Sequence, residues 1–305
     1  MRREDVLMHA ADTGPSMPAL SWRRRQCAWL AAGGLLVLVV AYLVMVRTPF
    51  GQALGDSAYL ARLGGGSVLR VMDKALLASM DIRFLTLAGL GLLVFGVLRR
   101  RTWLGMGVCL ALAFAMVIAE LLKRILPRPD LAPEFEALMK AKDGLNTYPS
   151  GHVTFAAGLA LGIVILVPTR ARPWVSVLGM LLTAMVATAV VVAGWHRPSD
   201  AIGGIGLALA CLATAAAWSI RRWGRPVAAP SAARALPWIG AGTVVASALA
   251  LTVTLLHGNP AAISKGPGHL VIHEWTFVAT EVLIVIAALL AVFGLARVLR
   301  DVSNG

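Results

Sequence analysis

The chain has 305 residues, of which 58% are hydrophobic and only 14% are charged, and its mean hydropathy is +0.78. A soluble domain carries about 25% charged residues, so this composition excludes an ordinary soluble protein. The apolar residues come in blocks of about 20 residues, the length that a helix needs to cross a hydrocarbon core of roughly 30 Å. The sequence therefore predicts an all-α, polytopic membrane protein.

Eight apolar blocks are predicted to be transmembrane helices. In chain order they are residues 27–46, 82–98, 103–122, 153–167, 174–195, 201–218, 236–256 and 276–295. The second and fourth are short and need flanking residues to span. The first exceeds a signal-peptide core of about 7–15 residues and lacks a small-residue cleavage site after it, so we expect an uncleaved span. Three cysteines lie in or beside these blocks without metal-site spacing, and we interpret them as core residues.

The net charge of +13 is explained by topology. If the N-terminus is cytoplasmic, the short cytoplasmic loops are almost purely basic, whereas acidic residues nearly balance the basic ones outside. This distribution is the positive-inside pattern of membrane proteins. The sequence thus predicts a multi-pass protein of the cell membrane with both termini in the cytoplasm. A nucleic-acid partner is not expected, because the excess of basic residues is explained by their position in the cytoplasmic segments between the predicted helices.

The polar segments suggest a domain organisation. Residues 1–26 form a polar cytoplasmic segment, residues 27–220 a six-helix membrane core, and residues 221–235 a Pro/Ala-rich cytoplasmic linker. Residues 236–305 add two transmembrane helices and a short tail, which we interpret as an appendage to the core. The outer segment 51–81 has apolar positions at helical spacing. We interpret this segment as a solvated connector. The alternative is a lid or substrate guide that lies along the membrane surface.

Three polar stretches fall on the outer face in this topology. They are "KRILPRPD" (123–130), "YPSGH" (148–152) and "GWHRPSD" (194–200), which we call the first, second and third stretch. Each residue alone has an ordinary interpretation, such as a helix cap or a snorkelling cation. Ionisable groups that converge from three span ends nevertheless favour a functional site. The candidate site residues are Lys123, Arg124, Arg128, Ser150, Gly151, His152, His196, Arg197 and Asp200.

This set of side chains suits phosphoryl transfer. Arg128 offers a planar fork of donors to phosphate oxygens. Ser150 and the Gly151 N–H stand at a helix N-terminus, where unpaired donors and the helix dipole favour an anion. One histidine can attack phosphorus while the other protonates the leaving oxygen, and Asp200, four residues after His196, can orient the imidazole.

The stretches resemble the signature of the type 2 phosphatidic acid phosphatase superfamily, membrane lipid phosphatases related to vanadium haloperoxidases. The family pattern is K-x6-R-P, then P-S-G-H, then S-R-x5-H-x3-D. Residues 149–152 match the second motif completely, and Arg128 matches the Arg of the first. His196 and Asp200 match the His and Asp of the third. The likeness covers roughly residues 80–220, and the motifs flank the third to sixth predicted helices.

The resemblance implies a six-helix core and a function as a lipid phosphatase at the outer face. His196 would be the nucleophile that forms a phosphohistidine, supported by Asp200. His152 would protonate the leaving alkoxide and later activate water. Phosphate would be bound by Arg128, Ser150 and Gly151. The substrate would be a lipid phosphate or a polyprenyl phosphate or diphosphate whose tail stays in the bilayer, and neither a metal nor another cofactor is expected.

The sequence departs from the family pattern at two cations. The Lys of the first motif would fall at Leu121, and the nearest substitutes are Lys123 and Arg124. The Arg of the third motif would fall at Val190, and Arg197 is the nearest substitute. We expect Arg197, together with Lys123 or Arg124, to supply the missing charge. A phosphotransferase, or a degenerate member that only binds or transports lipid, remains an alternative.

One further stretch, "HLVIHEW" (269–275), places His269 and His273 four residues apart. The order differs from the H-E-x-x-H zinc motif, and no third protein ligand is evident. We therefore favour a packing or loop role over metal binding.

Overall fold

A computed structural model describes residues 17–61, 80, 82–129, 131, 146–257 and 274–304. The segment before residue 17, most of the outer segment 51–81, and both His269 and His273 lie outside these residues. The helices are α1 Met17–Val40, which continues as the π-helix Ala41–Val46, α2 Pro49–Ala61, α3 Ile82–Leu98, α4 Thr102–Ile125, α5 Gly151–Leu166, α6 Arg172–Val192, α7 Pro198–Trp223, α8 Leu236–His257 and α9 Glu274–Leu299. A 3₁₀ turn, Ser231–Arg234, precedes α8, and strands β1 Gly224–Pro226 and β2 Val302–Asn304 pair antiparallel.

Each of the eight predicted apolar blocks corresponds to a helix, although blocks 153–167 and 174–195 run past the helix ends at Leu166 and Val192, so the prediction of an all-α polytopic membrane protein is confirmed. Among the described residues, six helical segments are long and apolar enough to cross a bilayer, while α3 and α5 are shorter, as predicted from the length of their apolar blocks. Large apolar side chains cover the outside of the bundle; Trp29, Leu110 and Leu178 are 73%, 67% and 67% exposed. Such a surface is favourable in lipid and costly in water.

Helix α7 is the central helix of the bundle and packs against α1, α4, α5, α6 and α9. Its crossing with α1 is close because Gly206 faces Gly34. A Cβ on Gly34 would lie 2.6 Å from the Gly206 carbonyl oxygen, and one on Gly206 would lie 2.7 Å from the Gly34 oxygen. Small residues that let two backbones approach are typical of helix pairs in membranes.

The last helix belongs to the core, in contrast to the appendage that we expected. Ile284, Val292 and Leu295 of α9 have no exposed surface, because α9 packs against α6, α7, α5 and α2. The buried guanidinium of Arg172 donates hydrogen bonds to the carbonyl oxygens of Leu299, the last residue of α9, and of Val302, the first residue of β2. Helix α8 is peripheral, as its exposed side chains Trp238, Val245 and Leu249 show.

The two ends of the bundle differ in chemistry. The three polar stretches lie together at one end, which we call the site end. The opposite end, which we call the basic end, holds the ion pair between Arg23 and Asp301 and the arginines of the α3–α4 and α5–α6 loops. The positive-inside pattern predicts that the basic end faces the cytoplasm.

This orientation can be tested by thiol labelling in a variant with Cys27, Cys109 and Cys211 replaced by serine. Leu131→Cys at the site end should react with an impermeant maleimide in intact cells, because this position is 37% exposed. Arg170→Cys, at an exposed position of the basic end, should react only after permeabilisation. The opposite labelling pattern would place the site in the cytoplasm.

Candidate active site

The carboxylate of Asp200 lies at the centre of the three stretches. It has no exposed surface and stands in the first turn of α7, where unpaired backbone N–H groups favour a negative charge. Its Oδ2 lies 3.3 Å from His196 Nδ1 and accepts the backbone N–H of Arg197 at 3.2 Å. The Ser199 hydroxyl donates to Oδ1 at 3.1 Å. The third stretch thus folds around its own carboxylate.

Two residues from outside the third stretch bind the same carboxylate. Arg128 Nη2 lies 3.0 Å from Asp200 Oδ1, and the Thr147 hydroxyl donates to Oδ2 at 2.6 Å. The Arg128 side chain is 5% exposed, so this ion pair is shielded from water. Arg128 Nε is also buried and has no hydrogen-bond partner among the described groups. Arg128 therefore neutralises Asp200 and keeps one buried donor that a phosphate oxygen could use.

The contact with Asp200 determines how His196 can react. A carboxylate accepts a hydrogen bond from Nδ1–H, so the proton of the neutral imidazole lies on Nδ1 and its lone pair lies on Nε2. The His196 backbone is held as well, because its N–H and that of Trp195 both donate to the Val190 carbonyl, at 3.1 and 3.0 Å. Gly194, with φ of 75°, permits this turn at the end of α6. His196 is 9% exposed, which leaves a small accessible edge.

The second stretch begins α5 against the start of α7. Ser150 is the N-cap of α5; its Oγ accepts the Val153 N–H at 3.5 Å, and its own N–H donates to the Asp200 carbonyl at 2.9 Å. Gly204 makes this contact possible, since a Cβ there would lie 2.8 Å from the Ser150 carbonyl oxygen. The Ser150 side chain is fully buried in a capping role, and its binding of phosphate stays a prediction.

Tyr148 anchors the second stretch to α1. Its hydroxyl donates to the Leu38 carbonyl, and its ring packs on Tyr42 with 5.6 Å between centroids. Burial raises the pKa of the Tyr148 phenol above its ordinary value, so this group acts as a neutral donor. Through this bond α1, which lies outside the three stretches, fixes the position of the α5 N-terminus.

Lys123 is the substitute cation that reaches the second stretch. Its Nζ forms an ion pair with Glu120 Oε1 at 2.7 Å, and a Cβ on Gly151 would lie 3.5 Å from Lys123 Nζ. The ammonium therefore stands beside the first backbone N–H groups of α5, where an anion is favoured. Arg124 is exposed and forms no hydrogen bond or ion pair with any other residue that the structure describes.

His152 completes the arrangement from the first turn of α5. Its ring packs against Trp195, with 5.4 Å between centroids and 59° between planes. It is also within electrostatic range of His196, Lys123 and Glu120. The two histidines thus approach the same space from the second and third stretches.

Arg197 is held by a residue that the sequence analysis did not select. Its Nε donates to Asp56 Oδ1 at 2.7 Å, and Asp56, in α2, is 2% exposed. The structure therefore brings all candidate site residues together except Arg124, and it adds Asp56, Thr147 and Ser199. One sequence signal for Asp56 was available: with Gln52 it forms a polar i, i+4 pair in an otherwise apolar helical segment.

Residues 104–224 match the family model of the PAP2 superfamily. This part of the chain is similar to the PAP2 superfamily. The family prediction is confirmed, and the match contains every candidate residue of the three stretches, while α2, α8 and α9 lie outside it. Comparison with curated proteins and with solved structures finds no match. Members of this superfamily are generally phosphatases, which supports a membrane phosphatase-type function.

Metal chemistry stays open as a question for experiment. Within the described part of the chain, no three His, Cys, Asp or Glu side chains form a cluster that could hold a metal ion. The expectation that the domain acts without metal remains a prediction.

The buried ion pair predicts a strong effect of Asp200→Asn. The change would leave the Arg128 charge buried without its partner, which costs about 3–5 kcal/mol. We expect a lower melting temperature in detergent together with a severe loss of phosphatase rate. Glu120→Gln is the matched control, because its exposed ion pair contributes about 0–1 kcal/mol. Equal melting temperatures for both variants would show that the Asp200–Arg128 pair does not hold the site together.

The different positions of Lys123 and Arg124 give a second prediction. Lys123→Ala should lower kcat by roughly 10²-fold, the size of losing one good donor to a transferring phosphoryl group. Arg124→Ala, one residue away on the same helix, should leave kcat within about twofold, since surface substitutions have small effects. Steady-state assays with a lipid phosphate in mixed micelles would measure both. A larger loss in the Arg124 variant would reverse the assignment.

Proposed function

We propose that the protein is a metal-independent phosphatase of the cell membrane that hydrolyses a lipid phosphate, or a polyprenyl phosphate or diphosphate, at the outer face. The observation that carries the proposal is the His196–Asp200 pair of the third stretch. It lies at one end of the transmembrane bundle, together with the second stretch, which carries His152, and with the cations Arg128 and Lys123. Phosphate would be held by these cations, by Arg197, and by Ser150 and Gly151 at the start of α5.

In the first step, His196 Nε2 attacks the phosphorus atom. An N–P bond forms as the bond between phosphorus and the lipid oxygen breaks, and that oxygen takes a proton from His152. Asp200 keeps the proton on Nδ1 and stabilises the charge that develops on the ring. The cations stabilise the oxygens of the transferring group, which is usually the largest contribution to such catalysis.

In the second step, water replaces the lipid alcohol. His152, now neutral, takes a proton from the water as its oxygen attacks phosphorus. The N–P bond breaks, inorganic phosphate leaves, and His196 returns to its starting state. A single residue can act first as acid and then as base because the two steps are chemically the reverse of each other.

A long apolar groove supports a lipid substrate. It has a volume of about 1100 Å³ and runs between α1, α4 and α7. It extends along α4 from Gly107 to Leu122, a length of about 22 Å at the helical rise per residue. Leu122 precedes Lys123, and Leu38, on the opposite wall, accepts the hydrogen bond of Tyr148. An acyl or prenyl chain in this groove would bring its phosphate toward the cations of the site end.

Trapping the covalent intermediate would test this mechanism. With ³²P-labelled lipid phosphates, the wild type should release inorganic phosphate, and rapid quenching in alkali should capture label on histidine. His196→Ala should abolish both signals while the protein stays folded. His152→Ala should be slow with lipid substrates but should accumulate labelled protein with p-nitrophenyl phosphate, whose leaving group needs no proton from His152.

The products separate the remaining alternatives. Transfer of label to added glycerol instead of water would identify a phosphotransferase that uses the same site. An undiminished rate in His196→Ala would contradict the assignment of the nucleophile. If the wild type released phosphate from none of the lipid or soluble substrates, it would be a lipid-binding or transport protein with a degenerate site.

A further inference from the structure

Helix α2 buries its polar side chains and exposes an apolar one. Gln52, Asp56 and Ser57 are 8%, 2% and 5% exposed, whereas Phe50 is 77% exposed. The three polar residues lie at i, i+4 and i+5, on one face of the helix. Burying a polar group is costly unless it is hydrogen-bonded, so the contacts of this face explain its orientation.

Gln52 holds the loop that carries Arg128. Its side-chain amide donates to the Pro129 carbonyl at 2.6 Å, and its Oε1 accepts the Leu131 N–H at 3.2 Å. The same amide nitrogen donates to the Val46 carbonyl at 2.8 Å, which ties the contact to the end of the first transmembrane helix. The backbone on the C-terminal side of Arg128 is thereby fixed.

Asp56 holds the cation that follows the candidate nucleophile. The Arg197 Nε–Asp56 Oδ1 distance is 2.7 Å, and the two side chains are 20% and 2% exposed. A guanidinium has five N–H donors and can bind a carboxylate along one edge and a phosphate along another. Ser57, the third residue of this face, contacts Thr276 Oγ1 of α9 at 3.0 Å.

We propose that α2 is the positioning element of the phosphate site, with Asp56 orienting Arg197 toward the transferring phosphoryl group. This inference rests on the proposed phosphatase function. Arg197 would then supply the charge that the family pattern places at Val190, although it extends from a different backbone position. A free Arg side chain loses rotamer entropy when it binds a ligand, and holding the side chain in place beforehand removes that cost.

Positioning and simple electrostatics predict opposite effects of Asp56→Asn. Asp56 places a negative charge near an anion site, so if charge alone mattered, its removal would tighten phosphate binding and would not slow turnover. If Asp56 positions Arg197, its removal should lower kcat by about tenfold or more with little change in KM, since small misplacements of catalytic groups cost up to about 10²-fold. The sign of the effect therefore decides between the two.

The experiment compares Asp56→Asn, Arg197→Ala and the double variant with wild type, using p-nitrophenyl phosphate and a short-chain phosphatidate. In the Arg197→Ala background, Asp56→Asn should have no further effect on kcat, because the group that it positions is gone. Ser57→Ala, on the same face of α2, is the matched control and should keep kcat within about twofold. Asp56→Glu should give a kcat between those of wild type and Asp56→Asn.

Several outcomes would overturn the inference. They are an unchanged or raised kcat in Asp56→Asn, an equal loss in Ser57→Ala, or an undiminished effect of Asp56→Asn in the Arg197→Ala background. Melting temperatures would show which variants are folded. If Asp56→Asn does not fold, Asp56→Glu takes its place, because the added methylene moves the carboxylate while keeping its charge; a wild-type kcat would then count against positioning.

Binding of orthovanadate separates this inference from the proposed function. If the wild type hydrolyses no substrate, the proposed function fails, but the wild type should still bind this analogue of the five-coordinate transition state more tightly than Asp56→Asn by about tenfold or more. Equal or tighter binding by Asp56→Asn, or no binding by the wild type, would overturn the inference on its own evidence.

Discussion

The buried carboxylate of Asp200 is the constraint on which the rest of the site depends. A carboxylate without exposed surface is stable only when it is paired and hydrogen-bonded, and here its partners come from the loop after α4, the residue before the second stretch and the start of α7 itself. Satisfying this one group therefore brings together residues that lie up to 72 positions apart. The same carboxylate selects the tautomer of His196, so the stability and the proposed chemistry of the site share one origin.

The two departures from the family motifs have a structural explanation. Val190 has no exposed surface and packs inside the bundle, while its carbonyl oxygen holds the turn before His196. The position serves to end α6, and the cation is placed beyond the turn, at Arg197. In the first motif, the exposed Leu121 faces away and Lys123 meets Gly151 instead. The number of cations near the proposed phosphate site is thus retained, but Arg197 and Lys123 extend from backbone positions that differ from those of the family pattern.

The membrane is part of this arrangement. The site lies at the ends of α4, α5 and α7, and the apolar groove between α1, α4 and α7 continues from it along the bundle. An amphiphilic substrate would match both parts, since its chain and its phosphate need opposite surroundings. Helix α2 closes the arrangement from the site end with its polar face turned inward, and through Ser57 it joins α9, which is itself held at the basic end by Arg172.

The sequence by itself determined the fold class, the eight apolar helices and the superfamily, because helix length, hydropathy and short motifs such as residues 149–152 are local properties of the chain. It also selected His196, Arg197 and Arg128, which contact the Asp200 carboxylate, but it missed Thr147 and Ser199. Only the tertiary structure decided that Lys123 and not Arg124 meets the second stretch, that α9 is a core helix, and that Asp56 pairs with Arg197. Asp56 and Arg197 are 141 positions apart, and their contact depends on how α2 packs over the bundle, which no local pattern records.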